Sequence, residues 1–131
     1  MYNQSLLSEY QQVGVQSKVN SSNPHSLVAM LLDGLLEKLA RAEGALQRGD
    51  MQNKGIALSS GIRIIDGLRA SLDFQRGGEI ANNLGSMYDY MERRLVEANA
   101  QSDHRIIAEV VSLVNEIKDG WDSIPVELRG A

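Results

Sequence analysis

Residues 80–98 read IANNLGSMYDYMERRLVEA, and within them Ile80, Leu84, Met87, Met91, Leu95 and Ala98 recur at intervals of three and four. Side chains at that spacing share one face of an α-helix, so the segment predicts an amphipathic helix that ends near Ala100. On its C-terminal side, Ser102 or Asp103 supplies an N-cap for a further helix, whose stripe is Ile106, Val110, Leu113, Ile117, Trp121 and Ile124. Pro125 stops it, because the residue before a proline is pushed out of the helical region.

On the N-terminal side, Phe74-Gln75-Arg76-Gly77-Gly78 reads as a turn closing an earlier helix. That helix is capped by Asp50, runs to about Asp73 and carries Met51, Leu58, Ile62, Ile65 and Leu72 on one face. Before it, Asn23-Pro24 places a cap residue ahead of proline at the first helical position. From there Leu27, Leu31, Leu35, Ala42 and Leu46 mark a helix to about Arg48, with Gly49 as a left-handed C-cap. Four helices joined by short connections predict an all-α fold, an antiparallel up-down-up-down four-helix bundle over residues 24–124.

Residues 1–23 carry only Glu9 and Lys18 as charges and end in a polar run, so they read as a flexible arm and linker. In the arm, Leu6, Tyr10 and Val13 could line a short amphipathic helix given a surface to lie on, although such a segment does not persist alone. Residues 125–131 are expected to be a disordered tail.

Composition narrows the function. The chain of 131 residues is 43% hydrophobic and 23% charged, which suits one folded domain. With 17 Asp and Glu against 13 Lys and Arg the net charge is -4, which disfavours nucleic acid as a partner. The absence of cysteine removes disulfides and thiolate chemistry. No basic-then-apolar leader opens the sequence and no 18-residue apolar run interrupts it, so neither export by a signal peptide nor membrane insertion is expected.

Catalytic patterns are also missing. A di-metal bundle site needs paired Glu-x-x-His motifs, and the two histidines, His25 and His104, fit surface or capping roles instead. No Gly-x-Ser-x-Gly occurs, and Gly77-Gly78 lacks the rest of a phosphate loop. We therefore expect no metal, no cofactor and no enzymatic activity. The one enzyme alternative is an inward pair, Arg69 and Arg94, clamping a dicarboxylate, set against both arginines snorkelling or pairing with acids on adjacent helices.

More informative is a surplus of apolar surface. On the last helix Ile107, Val111 and Val114 form a second strip beside the first, and on the first helix Val28, Leu32, Leu36 and Leu39 do the same. Two explanations stand: these helices each touch two neighbours, or an exposed strip forms a groove for a partner helix. As a groove, Ile107, Val111 and Val114 are the first choice and Val28, Leu32 and Leu36 the second. Tyr88 and Tyr90 flank the third helix's stripe and suit either rim packing or partner contact. The same strips would also serve a homodimer. Glycines inside predicted helices, such as Gly61 and Gly85, either allow close helix approach or soften the bundle.

Four strings in register then become recognisable: Pro24-His25-Ser26-Leu27-Val28-Ala29-Met30-Leu31-Leu32-Asp33-Gly34, Ser71-Leu72-Asp73, Gly77-Gly78-Glu79-Ile80-Ala81-Asn82-Asn83-Leu84 and Tyr88-Asp89-Tyr90-Met91-Glu92-Arg93-Arg94-Leu95. Together they resemble the flagellar secretion chaperone family, FliS, from about Tyr10 to Trp121. The resemblance implies a cytoplasmic helical bundle that binds flagellin mainly through its disordered C-terminal segment and blocks premature polymerisation. It also implies delivery to the flagellar type III export gate and an N-terminal arm that covers part of the cargo surface. Leu32 departs from the pattern, since many relatives carry Tyr there.

Overall fold

The computed structural model describes residues 24–123. They form four helices: α1 (Pro24–Gln47), α2 (Met51–Ala70), α3 (Phe74–Gln101) and α4 (His104–Asp122). No strand occurs among the described residues. The arm with Leu6, Tyr10 and Val13, and the tail after residue 123, lie outside them.

Each boundary has a local cause. Gly49 turns left-handed at φ 75°, and Asp50 then accepts a hydrogen bond from the Asn53 amide at 3.1 Å. Asp73 accepts from the amides of Gln75 and Arg76, and Asp103 from that of Arg105. The α2–α3 connection comes earlier than expected: α2 stops at Ala70, so Leu72 lies outside it. Gly78 sits at φ 50°, ψ -122°, a conformation open to glycine, and separates the first turn of α3 from its long regular part. The turn expected at Gly77-Gly78 is therefore a kink inside α3.

Cross-helix pairs establish the antiparallel order. Trp121 Nε1, at the end of α4, donates to the carbonyl of His25 at the start of α1, 3.0 Å away. Lys54 near the start of α2 reaches Asn99 near the end of α3, and Arg94 of α3 reaches Glu109 of α4. α1 packs on α2 and α4, and α3 likewise packs on α2 and α4, so every helix has two flanking neighbours. Short connections allow no other simple arrangement.

The core corrects several sequence expectations. On α3 the buried positions are Ala81, Tyr88, Met91, Leu95 and Ala98, a seam of alternating threes and fours once the half-buried Leu84 is included. That is the a/d pattern of bundle packing, which turns the inner face away from Ile80 and toward Tyr88. Ile80 is accordingly 59% exposed, and Met51, expected on the inner face of α2, is 44% exposed. At Gly61, an added Cβ would stand 3.3 Å from Leu35 Cδ1, so this glycine permits close approach of α1 and α2.

One buried cation holds a helix end. Lys54 is almost fully buried, and its Nζ donates to the Asn99 carbonyl at 2.9 Å and to Ser102 Oγ at 2.8 Å. The last carbonyls of a helix lack intrahelical partners and carry the negative end of its dipole, so an ammonium there satisfies both. Lys54→Met keeps the stem and removes the donor. We expect it to cost about 2 kcal/mol in urea unfolding and to speed amide exchange over residues 98–102.

Candidate functional site: an apolar cleft at one end of the bundle

The strips chosen from sequence do not form a groove. Ile107 and Val114 are completely buried, as is Leu32, and Tyr88 is 1% exposed. The reason is geometric: α4 is flanked by α1 and α3, so both of its apolar strips are covered at once. Val111, Val28 and Leu36 remain half-buried at the edges of the core, and Tyr90 is exposed. Tyr90 is engaged, its hydroxyl donating to Glu109 at 2.5 Å.

The arginine pair is also resolved. Arg69 stands 2.9 Å from Asp66, 2.9 Å from Asp89 and 2.6 Å from Glu92, while Arg94 contacts Glu97 at 2.5 Å and Glu109 at 2.9 Å. The two lie on different helix seams and are held by the chain's own carboxylates, so they do not form an inward clamp. Burial raises the Glu92 carboxyl above its usual range against the opposing pull of Arg69, whereas hydrogen bonds from Tyr90 and then Arg94 lower that of Glu109.

An apolar cleft opens instead at the end where α1 begins and α4 finishes. It measures about 210 Å³ and lies between Pro24, Leu27 and Val28 of α1, Leu72 of the α2–α3 connection, Ile80 and Leu84 of α3, and Trp121 of α4. Ala81 and Tyr88 also line it. Phe74, 55% exposed, begins the same helix as Ile80 and adds apolar surface to that end of the molecule. Burial pushes the Tyr88 hydroxyl up to about 12, so it stays neutral at physiological pH.

Trp121 is fixed from one side. Its ring stacks on His25 with centroids 4.9 Å apart and planes within 9°, and His25 Nε2 donates to the Trp121 carbonyl at 2.8 Å. His25 is thus a buried clasp between α1 and α4, contrary to the surface or capping role expected for it. Trp121 remains part of the cleft lining, which makes it an optical reporter of whatever enters.

Among the described residues, the only charged side chains lining this cleft are Asp73 and Arg76, 4.0 Å apart. Asp73 is already occupied with capping α3. An apolar trough with one polar corner suits burial of apolar side chains from a protein segment. Sequence reading missed it because Ile80 scored as an inner residue; the signal was Gly77-Gly78, which breaks the helix just before Ile80.

Comparison with known proteins shows the family. The family model described as flagellar protein FliS matches residues 6–127. The flagellar secretion chaperone FliSB of Pseudomonas aeruginosa is 47% identical over 124 residues, covering 95% of this chain and 98% of that protein. The flagellar secretion chaperone FliS of Salmonella typhimurium is 49% identical over 125 residues, covering 95% of this chain and 93% of its own. At greater distance, the FliS of Bacillus subtilis is 38% identical over 106 residues, 81% of this chain and 78% of that protein. With the bundle, the family match and near-full-length relatives in agreement, this chain belongs to the FliS family of flagellar proteins.

Proposed function

We propose that this protein is a cytoplasmic export chaperone for flagellin. It holds the disordered C-terminal segment of flagellin, prevents premature polymerisation and hands the cargo to the flagellar type III export gate. The observation that carries the reading is the apolar cleft bounded by Leu27, Val28, Leu72, Ile80, Leu84 and Trp121, in a chain whose relatives are named flagellar secretion chaperones. No helix among the described residues is long and apolar enough to cross a membrane.

Holding a segment that folds on binding suits a carrier. Apolar contact provides the drive, and the entropy lost in ordering the cargo limits the net affinity, so release at the gate is not blocked. Calorimetric titration with flagellin should show a negative heat-capacity change, and Trp121 emission should shift as its surroundings dry. Both signals should vanish with flagellin lacking its C-terminal segment. Unchanged binding by the truncated flagellin would refute the reading.

Leu6, Tyr10 and Val13 belong to the proposal as a cover for this cleft. Their spacing gives a small apolar face of the kind such a trough accepts. Deleting residues 1–16 should raise binding of a hydrophobic dye, leave the bundle folded and leave flagellin affinity unchanged or stronger. A deletion that unfolds the protein would place the arm in the core.

A further inference from the structure

A second groove, unlike the cleft in chemistry and position, runs along the seam between α1 and α2. It is an open trough of about 710 Å³ whose lining includes Lys38 and Arg41 of α1, Arg48 just beyond its end, and Arg63 of α2. Glu37, paired with Arg41 at 2.9 Å, is its only carboxylate among the described residues. Thus, among its described residues, a chain of net charge -4 places four Lys and Arg but one Asp or Glu around a single trough.

Local packing shapes that trough. Its other lining residues include Ala40, Gly44, Ala57 and Ser60, which are too small to fill the space between Arg41 and Arg48 on one side and Arg63 on the other, with Lys38 almost fully buried beneath. Gly44 matters to one of them: a Cβ there would stand 3.2 Å from Arg48 Nη1, so the missing side chain lets that guanidinium lie back over α1. Ile56, 57% exposed, sits within the trough and continues into an adjoining hollow of about 490 Å³ that also contains Met51. Apolar surface is therefore flanked by positive charge.

We propose that this groove docks an acidic amphipathic helix of a partner protein, its apolar side chains resting on Ile56 and Met51 and its carboxylates reaching Arg48 and Arg63. Bidentate guanidinium–carboxylate pairing and apolar contact along one helical face both match that ligand. Charge complementarity selects acidic sequences and accelerates encounter. A nucleic acid fits less well: the cationic run is short, its centre is apolar, and the remainder of the molecule is negatively charged. The proposal goes beyond cargo holding and does not depend on it, since the groove and the cleft share no lining residue.

The test uses the full-length protein and a fluorescein-labelled helical peptide carrying two Leu along one face and Glu residues flanking them at the edges of that face. Anisotropy at low salt should report binding that weakens at least about tenfold in Arg48→Glu/Arg63→Glu and on moving to about 0.3 M salt. Ile56→Ser should weaken it as well. Arg48→Gln/Arg63→Gln, which adds no new charge, should show an intermediate loss, and all variants should retain the wild-type melt and flagellin affinity. The proposal is overturned if the charge-reversed protein binds like wild type, or if a Gln-for-Glu peptide binds equally well. It is also overturned if a single-stranded oligonucleotide of equal charge displaces the peptide at equal or lower concentration. Sedimentation showing a dimer that the arginine variants dissociate would assign the groove to a second copy of this chain instead.

Discussion

Ile80→Asp should weaken flagellin binding by about thirtyfold or more while leaving the thermal midpoint within about 2 °C of wild type. The argument begins with exposure: at 59% exposed, Ile80 contributes little to the core, so its replacement costs the folded chaperone little. In a complex that fills the cleft, the same side chain would be desolvated against cargo. Burying an isoleucine is worth about 1.5–3 kcal/mol, and a carboxylate in its place adds the penalty of an unpaired charge in an apolar contact. Asp73, which also lines the cleft, would compound this by like-charge repulsion. Leu84→Asp is the companion variant, half-buried and expected to lose both binding and some stability. Titration calorimetry and melting curves on Ile80→Asp separate the two effects. Normal folding with undiminished affinity would move the cargo surface away from the cleft.

Val110→Asp and Val114→Asp should both unfold the protein or lower its stability by several kcal/mol, whereas Val111→Asp should leave a cooperative melt. All three lie within five residues on α4, yet Val110 and Val114 are fully buried while Val111 is only half-buried at the edge. An isolated carboxylate in the interior must be neutralised or hydrated, and either route costs far more than truncation. At Val111 the carboxylate can reach water. Guanidinium unfolding of the three variants tests the packing of α4 between α1 and α3. A Val114→Asp protein as stable as wild type would restore the strip of Ile107, Val111 and Val114 as an exposed surface.

Sequence alone determined the element order, because helix boundaries depend on local chemistry. Gly49 with Asp50, and Asp103 before α4, act through hydrogen bonds within a few residues of themselves. Period likewise established that each segment is helical, and short connections established antiparallel neighbours. The surplus of apolar residues on α1 and α4 was legible too, and so were Val28 and Trp121 as apolar positions of note.

Which surplus residues stay exposed was decided only by tertiary structure. A stripe drawn through Ile80, Met87 and Met91 differs from one drawn through Ala81, Tyr88 and Met91 by a small rotation, and the sequence contains both. Packing against two neighbours selected the second, buried the Tyr88 hydroxyl and left Ile80 outside. Burial on α4 similarly follows from having a helix on either side, a fact that no single helix encodes. The cross-helix partners of Arg69 and Arg94, Glu92 and Glu109, were set in the same way. Periodicity reports that a face is apolar; only the positions of the other helices decide how wide a part of it is covered, and therefore where the remaining cleft opens.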